Sequence, residues 1–212
     1  LEAAWEEVPA VESFLRYIPQ PGPPPPGRTE VRFMQDAEFL YIGVRVSEAG
    51  YEPQARISPR EQINEDDQIG IYIDTEGDGR AGYIFYFNPF GIQQDVRYSN
   101  GNWYSQWNAV MQSEGKLTED GYELEIALPF RSLQYPSTET PDWKVMLTRK
   151  IPDLGTKYSH PQLKRSHPRM FTQAVPLQGI KPPAAGTGLS LQPALSTSVQ
   201  AEGALDASAK PS

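Results

Sequence analysis

The sequence predicts an all-β chain, an antiparallel two-sheet β-sandwich of jelly-roll or immunoglobulin-like kind with short helical turns. Three observations carry this. Apolar and polar residues alternate with period two through the middle of the chain, the signature of strands with one buried face. Gly and Pro cut that alternation into at least seven short segments, and the helical candidates between them are short. The 212 residues suffice for one well-buried core, so a single main domain is expected.

The elements follow in order. "TEVRFM" (Thr29–Met34) reads as a strand. In "FLYIGVRV", Leu40, Ile42, Val44 and Val46 face inward while Tyr41, Gly43 and Arg45 face out. In "DQIGIYID", Ile69, Ile71 and Ile73 face inward. "AGYIFYFN" and "GIQQDVRY" flank "PFG", where Pro89 cannot donate to a ladder and Gly91 tolerates a turn, so the two pair as a hairpin. "WNAVMQSE" (Trp107–Glu114) is expected as a further strand. "GYELEIAL" turns Leu124, Ile126 and Leu128 inward and Glu123 and Glu125 outward, and "WKVMLTR" closes the set. The run "IPQPGPPPPGR" from Ile18 reads as an extended polyproline-type crossing. Residues 1–177 form the predicted sandwich. Residues 178–212, rich in Ala, Ser, Gly and Pro, read as a linker or the start of a following domain, with a strand hinted in "LSLQPALSTSV".

Composition excludes several functions. With 27 acidic against 19 basic residues and a formal charge of −8, and no basic stripe, a nucleic-acid surface is not expected. The chain has no cysteine, which removes disulfides, thiolate zinc sites and thiol nucleophiles. No apolar run reaches transmembrane length. The opening "LEAAWEEVPAV" lacks the charged and apolar regions of a secretory signal, so export is expected to rest on a segment outside this sequence.

"YIDTEGDGRAGYIF" places Asp74, Glu76 and Asp78 at alternate positions before Gly79, as a calcium loop begins, but Phe85 stands where that loop needs its bidentate acid. A hairpin turn is the leading reading and Ca²⁺ the second. Trp103 and Trp107 in "NGNWYSQWN" are the ring platforms on which a sugar could stack. They share parity on a strand, so both could instead cap the core, the preferred reading for Trp107. Trp5 and Trp143 read as core. Outward parity collects Arg45, Gln68, Tyr72, Tyr86, Asn88, Glu123 and Glu125; Arg45, Tyr86, Asn88 and Asp95 are the polar sugar contacts selected. A solvated outer face predicts the same alternation. Glu123 and Glu125 lie side by side on one strand, unlike glycosidase carboxylates facing each other across a cleft. His160 and His167 have no acidic partner nearby in sequence, and no nucleophile motif accompanies them. Catalysis is therefore not expected.

Taken in order, "EAAWEEV", "TEVRFMQDAEFLYIGVRV", "EDDQIGIYIDTEGDGRAGYIFYFNPFGIQQD", "LTEDGYELEIALPFRSL" and "WKVMLTRKI" resemble the family 9 carbohydrate-binding module and its DOMON-like relatives. More narrowly, they look like the module preceding a β-barrel of unknown function in bacterial outer-membrane proteins. The resemblance implies a β-sandwich, calcium sites of mainly structural use, and sugar binding near paired tryptophans. Sugar-binding members supply an arginine from a strand after the acidic segment; here "YIFYFNPFG" offers aromatic rings and Asn88 instead. Some DOMON relatives hold haem, but no axial pair of Met or His is evident and none is expected. The expected function is an exported, non-catalytic module that binds a glycan. The alternative is a structural or protein-interaction sandwich that engages a protein partner or itself.

Overall fold

The computed structural model describes residues 1–48, 50, 52–138 and 141–184. The strands, in chain order, are β1 (Ala10–Val11), β2 (Leu15–Ile18), β3 (Arg28–Gln35), β4 (Phe39–Ser47), β5 (Gln68–Asp74), β6 (Ala81–Phe87), β7 (Gln93–Ser99), β8 (Asn102–Tyr104), β9 (Gln112–Thr118), β10 (Gly121–Pro129), β11 (Lys144–Ile151), β12 (Thr156–His160) and β13 (Val175–Pro176). They form a five-stranded sheet, ordered β1-β3-β4-β10-β9, and an eight-stranded sheet, ordered β2-β12-β11-β5-β6-β7-β8, with β13 beside β11. Every pairing is antiparallel. Among the described residues the helical content is three short 3-10 turns, as expected.

Period two decides the core. Leu40, Ile42 and Val44 of β4 pack with Leu124, Ile126 and Leu128 of β10 against Ile69, Ile71 and Ile73 of β5 and Phe85 and Phe87 of β6, all essentially inaccessible to water. A one-residue slip in any of these strands would turn its apolar set to solvent, so the two buried faces hold the register. Buried charge breaks the apolar rule at Asp95 of β7 and at Arg149 of β11. Arg149 of β11 points inward, fully buried, and pairs with Glu48 at the end of β4 while donating to the Thr29 hydroxyl at 2.9 Å. Burial raises the Glu48 carboxyl above its ordinary range despite the guanidinium beside it.

Several expectations change. The segment from Trp107 is not a strand until Gln112, because residues 107–111 leave the ladder and fold over the inner edge of the large sheet. Trp143 lies in the core between the sheets, whereas Trp5, equally buried, lies outside the small sheet on Gly43 of β4, where a Cβ would come within 2.8 Å of its ring. Strands β1, β2, β8, β12 and β13 are not among the expected ones, being short and weakly alternating. Packing also continues past Leu177: Ile180 joins the core, and Lys181 exchanges backbone hydrogen bonds of 2.6 and 2.8 Å with the Gln35 amide. The strand hinted in "LSLQPALSTSV" lies outside the described residues.

Candidate functional site

The two outer faces of the sandwich differ. On the small sheet, Arg45 of β4 is bound to Glu123 at 2.7 Å and to Glu6 at 3.2 Å, while Trp5 donates its indole N–H to Glu125 at 2.8 Å. Arg32 donates to the Val8 carbonyl at 3.0 Å and also pairs with Glu30. The N-terminal segment is thus strapped across this face by two hydrogen bonds and the Glu6–Arg45 ion pair. Arg45 has the outward parity expected of it, but its guanidinium is spent on Glu123 and Glu6, and Glu125 is spent on Trp5.

The outer face of the large sheet is divided. One part is covered by residues 161–174, whose Leu163 and Phe171 pack on Tyr72, Ile84, Val96, Tyr98 and Met146 as a second apolar cluster. The rest is an open cleft of about 420 Å³. Its floor carries Gln68 and Tyr72 of β5, Tyr86 of β6, Gln94 of β7 and Thr148 of β11; Tyr17 and Asn64 border it, Lys150 and Lys157 form one wall, and Trp103 forms part of another. Tyr72 and Tyr86 meet edge to face, ring centres 5.8 Å apart, with their hydroxyls 2.8 Å apart. Burial raises the hydroxyls of Tyr17, Tyr72 and Tyr86 above the ordinary phenol range, so all three stay protonated as O–H donors at neutral pH. Gly70 keeps the floor low: a Cβ there would come within 2.3 Å of the Thr148 hydroxyl and 3.0 Å of the Tyr86 ring.

Trp103 stands on the edge strand β8, opposite Tyr98, with ring centres 5.3 Å apart. Tyr98 in turn stacks on Phe171 at 5.3 Å. The indole is held by its neighbour yet remains 53% exposed, which is unusual for so large an apolar ring. A half-open indole beside amide and hydroxyl groups is a surface on which a sugar ring can stack while its hydroxyls find partners.

The structure therefore brings Tyr86 and Trp103 into one cleft and separates the remaining residues selected from sequence. Trp107 lies elsewhere, packed on Tyr83 and Phe85 with ring centres 5.0 and 6.0 Å away, in a larger cleft of about 680 Å³ at the end of the sandwich. There the Arg97 guanidinium sits 5.9 Å from the Tyr83 ring centre and bonds Gln134 at 2.9 Å. Pro183 and Ala184 border this cleft.

Asn88 is fully buried. Its amide donates to the Arg56 carbonyl at 3.0 Å and to Asp66 at 2.9 Å, and its side-chain oxygen accepts the N–H groups of Phe90 and Ile92 at 3.1 and 3.0 Å. It builds the β6–β7 turn. Asp95 is buried on the inner side of β7, where it accepts from Arg60 at 2.7 Å and from the Ala109 N–H at 2.9 Å. Burial raises its carboxyl, with the Ala109 N–H and Arg60 opposing. It pins the loops before β5 and before β9 to the sheet.

The acidic hairpin tip has the geometry of a turn. The Asp74 side chain accepts three backbone N–H groups, from Glu76 at 3.0 Å and Gly77 at 2.7 Å on one oxygen and from Gly79 at 2.8 Å on the other. Gly77 and Gly79 both take φ of +72°, a conformation that suits glycine. Asp78 caps the Arg80 N–H at 2.8 Å. Both Asp74 oxygens are thus committed to the backbone, and no group of three or more acidic or imidazole side chains gathers among the described residues. These residues do not fit a calcium cage, which draws six to eight oxygens around the ion.

Sequence reasoning identified Gln68 and Tyr72 as outward-facing but left them out of the site. It missed Gln94, Thr148, Lys150 and Lys157. Parity along "WKVMLTRK" was signal enough for Thr148 and Lys150, whereas Lys157 needed β12.

The fold and this cleft define an antiparallel β-sandwich that presents a polar, aromatic-flanked hollow on one sheet. No protein-family model and no curated protein matches the chain. Solved structures do share the fold. A family 9 carbohydrate-binding module from Caldicellulosiruptor kristjanssonii, determined in complex with cellotriose, superposes with a TM-score of 0.54 at 12% identity over 90% of each chain. A "putative carbohydrate-binding protein" from Bacteroides uniformis superposes with a TM-score of 0.55 at 15% identity, covering 78% of this chain and 83% of that one. At these identities the likeness is one of fold.

Proposed function

We propose that the protein is a non-catalytic glycan-binding module whose binding surface is the cleft on the outer face of the large sheet. One observation carries the reading: a half-exposed indole, held edge-on by Tyr98, flanks a floor of protonated tyrosine hydroxyls, amides and a threonine. Sugars offer C–H faces to rings and hydroxyls to donors and acceptors, and this cleft supplies both. Two solved neighbours whose descriptions concern carbohydrate binding support it at the level of fold. Among the described residues the cleft lining offers hydroxyls, amides and two lysines and no carboxylate, whereas glycoside cleavage uses a carboxyl pair. Among the described residues no helix is long and apolar enough to cross a membrane. Exported placement beside an outer-membrane barrel belongs to the same proposal and rests on the sequence resemblance.

The test is a glycan array followed by calorimetry on the wild type, Trp103→Ala and Trp107→Ala, each with calcium and with EDTA. Binding that Trp103→Ala abolishes and Trp107→Ala preserves supports this cleft. The reverse pattern assigns recognition to the cleft around Trp107. Silence toward all glycans points instead to a protein partner or self-assembly. Sensitivity to EDTA would restore the acidic loop as a calcium site.

A further inference from the structure

We propose that the cleft selects an acidic oligosaccharide, one whose sugars carry a carboxylate or sulfate, and that Lys150 and Lys157 are the residues that read this charge. The inference rests on the glycan-binding reading above and adds the ligand's chemical class.

The two lysines are directly opposite each other in the β11–β12 ladder, and both line the cleft. Like charges facing each other across antiparallel strands repel, and folds ordinarily avoid or neutralise such pairs. Here no salt bridge to a described residue engages either one. Lys150 donates to the Asn64 carbonyl, a contact that aims its ammonium without cancelling its charge. Burial and the charge of Lys157 both lower its pKa, while Glu65, Asp66 and Asp67 oppose them. None of these three acids lines the cleft. Asp66 is turned to Arg56 and Asn88, and Asp67 accepts the Gln54 N–H at 2.7 Å. A chain of net charge −8 thus presents, in this hollow, two cations and, among the described residues, no anion. An anion set between them would relieve the repulsion, and it would do so beside the donors that suit the rest of a sugar. Charge placed this way attracts one sign of ligand and disfavours surfaces that offer none.

The experiment uses the whole chain and matched tetrasaccharides: α-1,4-linked galacturonate, a sulfated oligosaccharide and neutral cellotetraose, titrated by calorimetry at low and high salt. At least tenfold tighter binding of one acidic probe over the neutral one is expected, weakened by salt. Lys150→Met with Lys157→Met should erase that preference and leave the thermal midpoint at or above that of the wild type. Lys157→Arg, which keeps the charge, should retain it. Galacturonate against sulfate distinguishes the two anions. Equal Trp103-dependent binding of neutral and acidic probes overturns the inference and leaves the glycan-binding reading standing. No binding of any glycan overturns both.

Discussion

The sequence offers Asn88 as a sugar contact, whereas the structure makes it a framework residue, a difference that Asn88→Ala measures. The side chain makes four hydrogen bonds of 2.9 to 3.1 Å and has no accessible surface. At a net worth of about 1 kcal/mol per bond, the four set a scale of about 4 kcal/mol. Some of the groups left behind, such as the Arg56 carbonyl, are only part-buried and regain water, which brings the expected loss to about 3 kcal/mol. For a domain of this size each kcal/mol moves the midpoint by roughly 2–4 °C, so a fall of about 6–12 °C is expected. Asn88→Asp separates the two halves of the side chain. It keeps the acceptor for Phe90 and Ile92 but replaces the donor to Asp66 with a second anion, so it should be at least as destabilising at pH 7 and recover on acidification. The assay is chemical denaturation and thermal melting, read with glycan binding below the transition. A midpoint within 1 °C of wild type, together with lost binding, would refute the structural assignment and return Asn88 to the site.

Three further outcomes follow from the same geometry. Gly70→Val should raise the cleft floor against Thr148 and Tyr86, weakening glycan binding at least tenfold; unchanged affinity by calorimetry would mean the floor is not used. Arg149→Met strands the buried Glu48 carboxylate and should cost about 3–5 kcal/mol, with much of it recovered when Glu48→Gln is added; denaturant melts of the single and double variants decide. Asp95 has its folded pKa raised by burial above an unfolded value near ~4, so its contribution is full below that value and is lost as pH rises through the folded one. Asp95→Asn should therefore flatten the dependence of the midpoint on pH above about 4; an unchanged slope would assign that dependence to Glu48, Glu61 and Asp74, whose pKa values are also raised.

Much of the fold was legible in the residues because burial on a strand is a local code. Alternation in "FLYIGVRV", "DQIGIYID" and "GYELEIAL" named the inward set, and two facing sheets follow from the need to bury it. The turn at Asp74 was legible as well, since its glycines and its short acid specify a local arrangement. Less of the site could be read. Parity states that Arg45 and Tyr86 both face outward, but the two stand on different sheets, one covered by the N-terminal strap and the other left open around Tyr86. Asn88 and Asp95 look like exposed polar residues until the loop carrying Arg56, Arg60 and Asp66 folds over them. Trp103 and Trp107, four residues apart, diverge because the chain leaves the ladder after Tyr104. The sequence by itself determined which side chains turn inward, through strand periodicity and turn chemistry that act over a few residues. Tertiary structure alone decided which outer face is covered and which is left as a cleft, because covering depends on segments distant in the chain: residues 1–8 over the small sheet, and residues 161–174 over part of the large one.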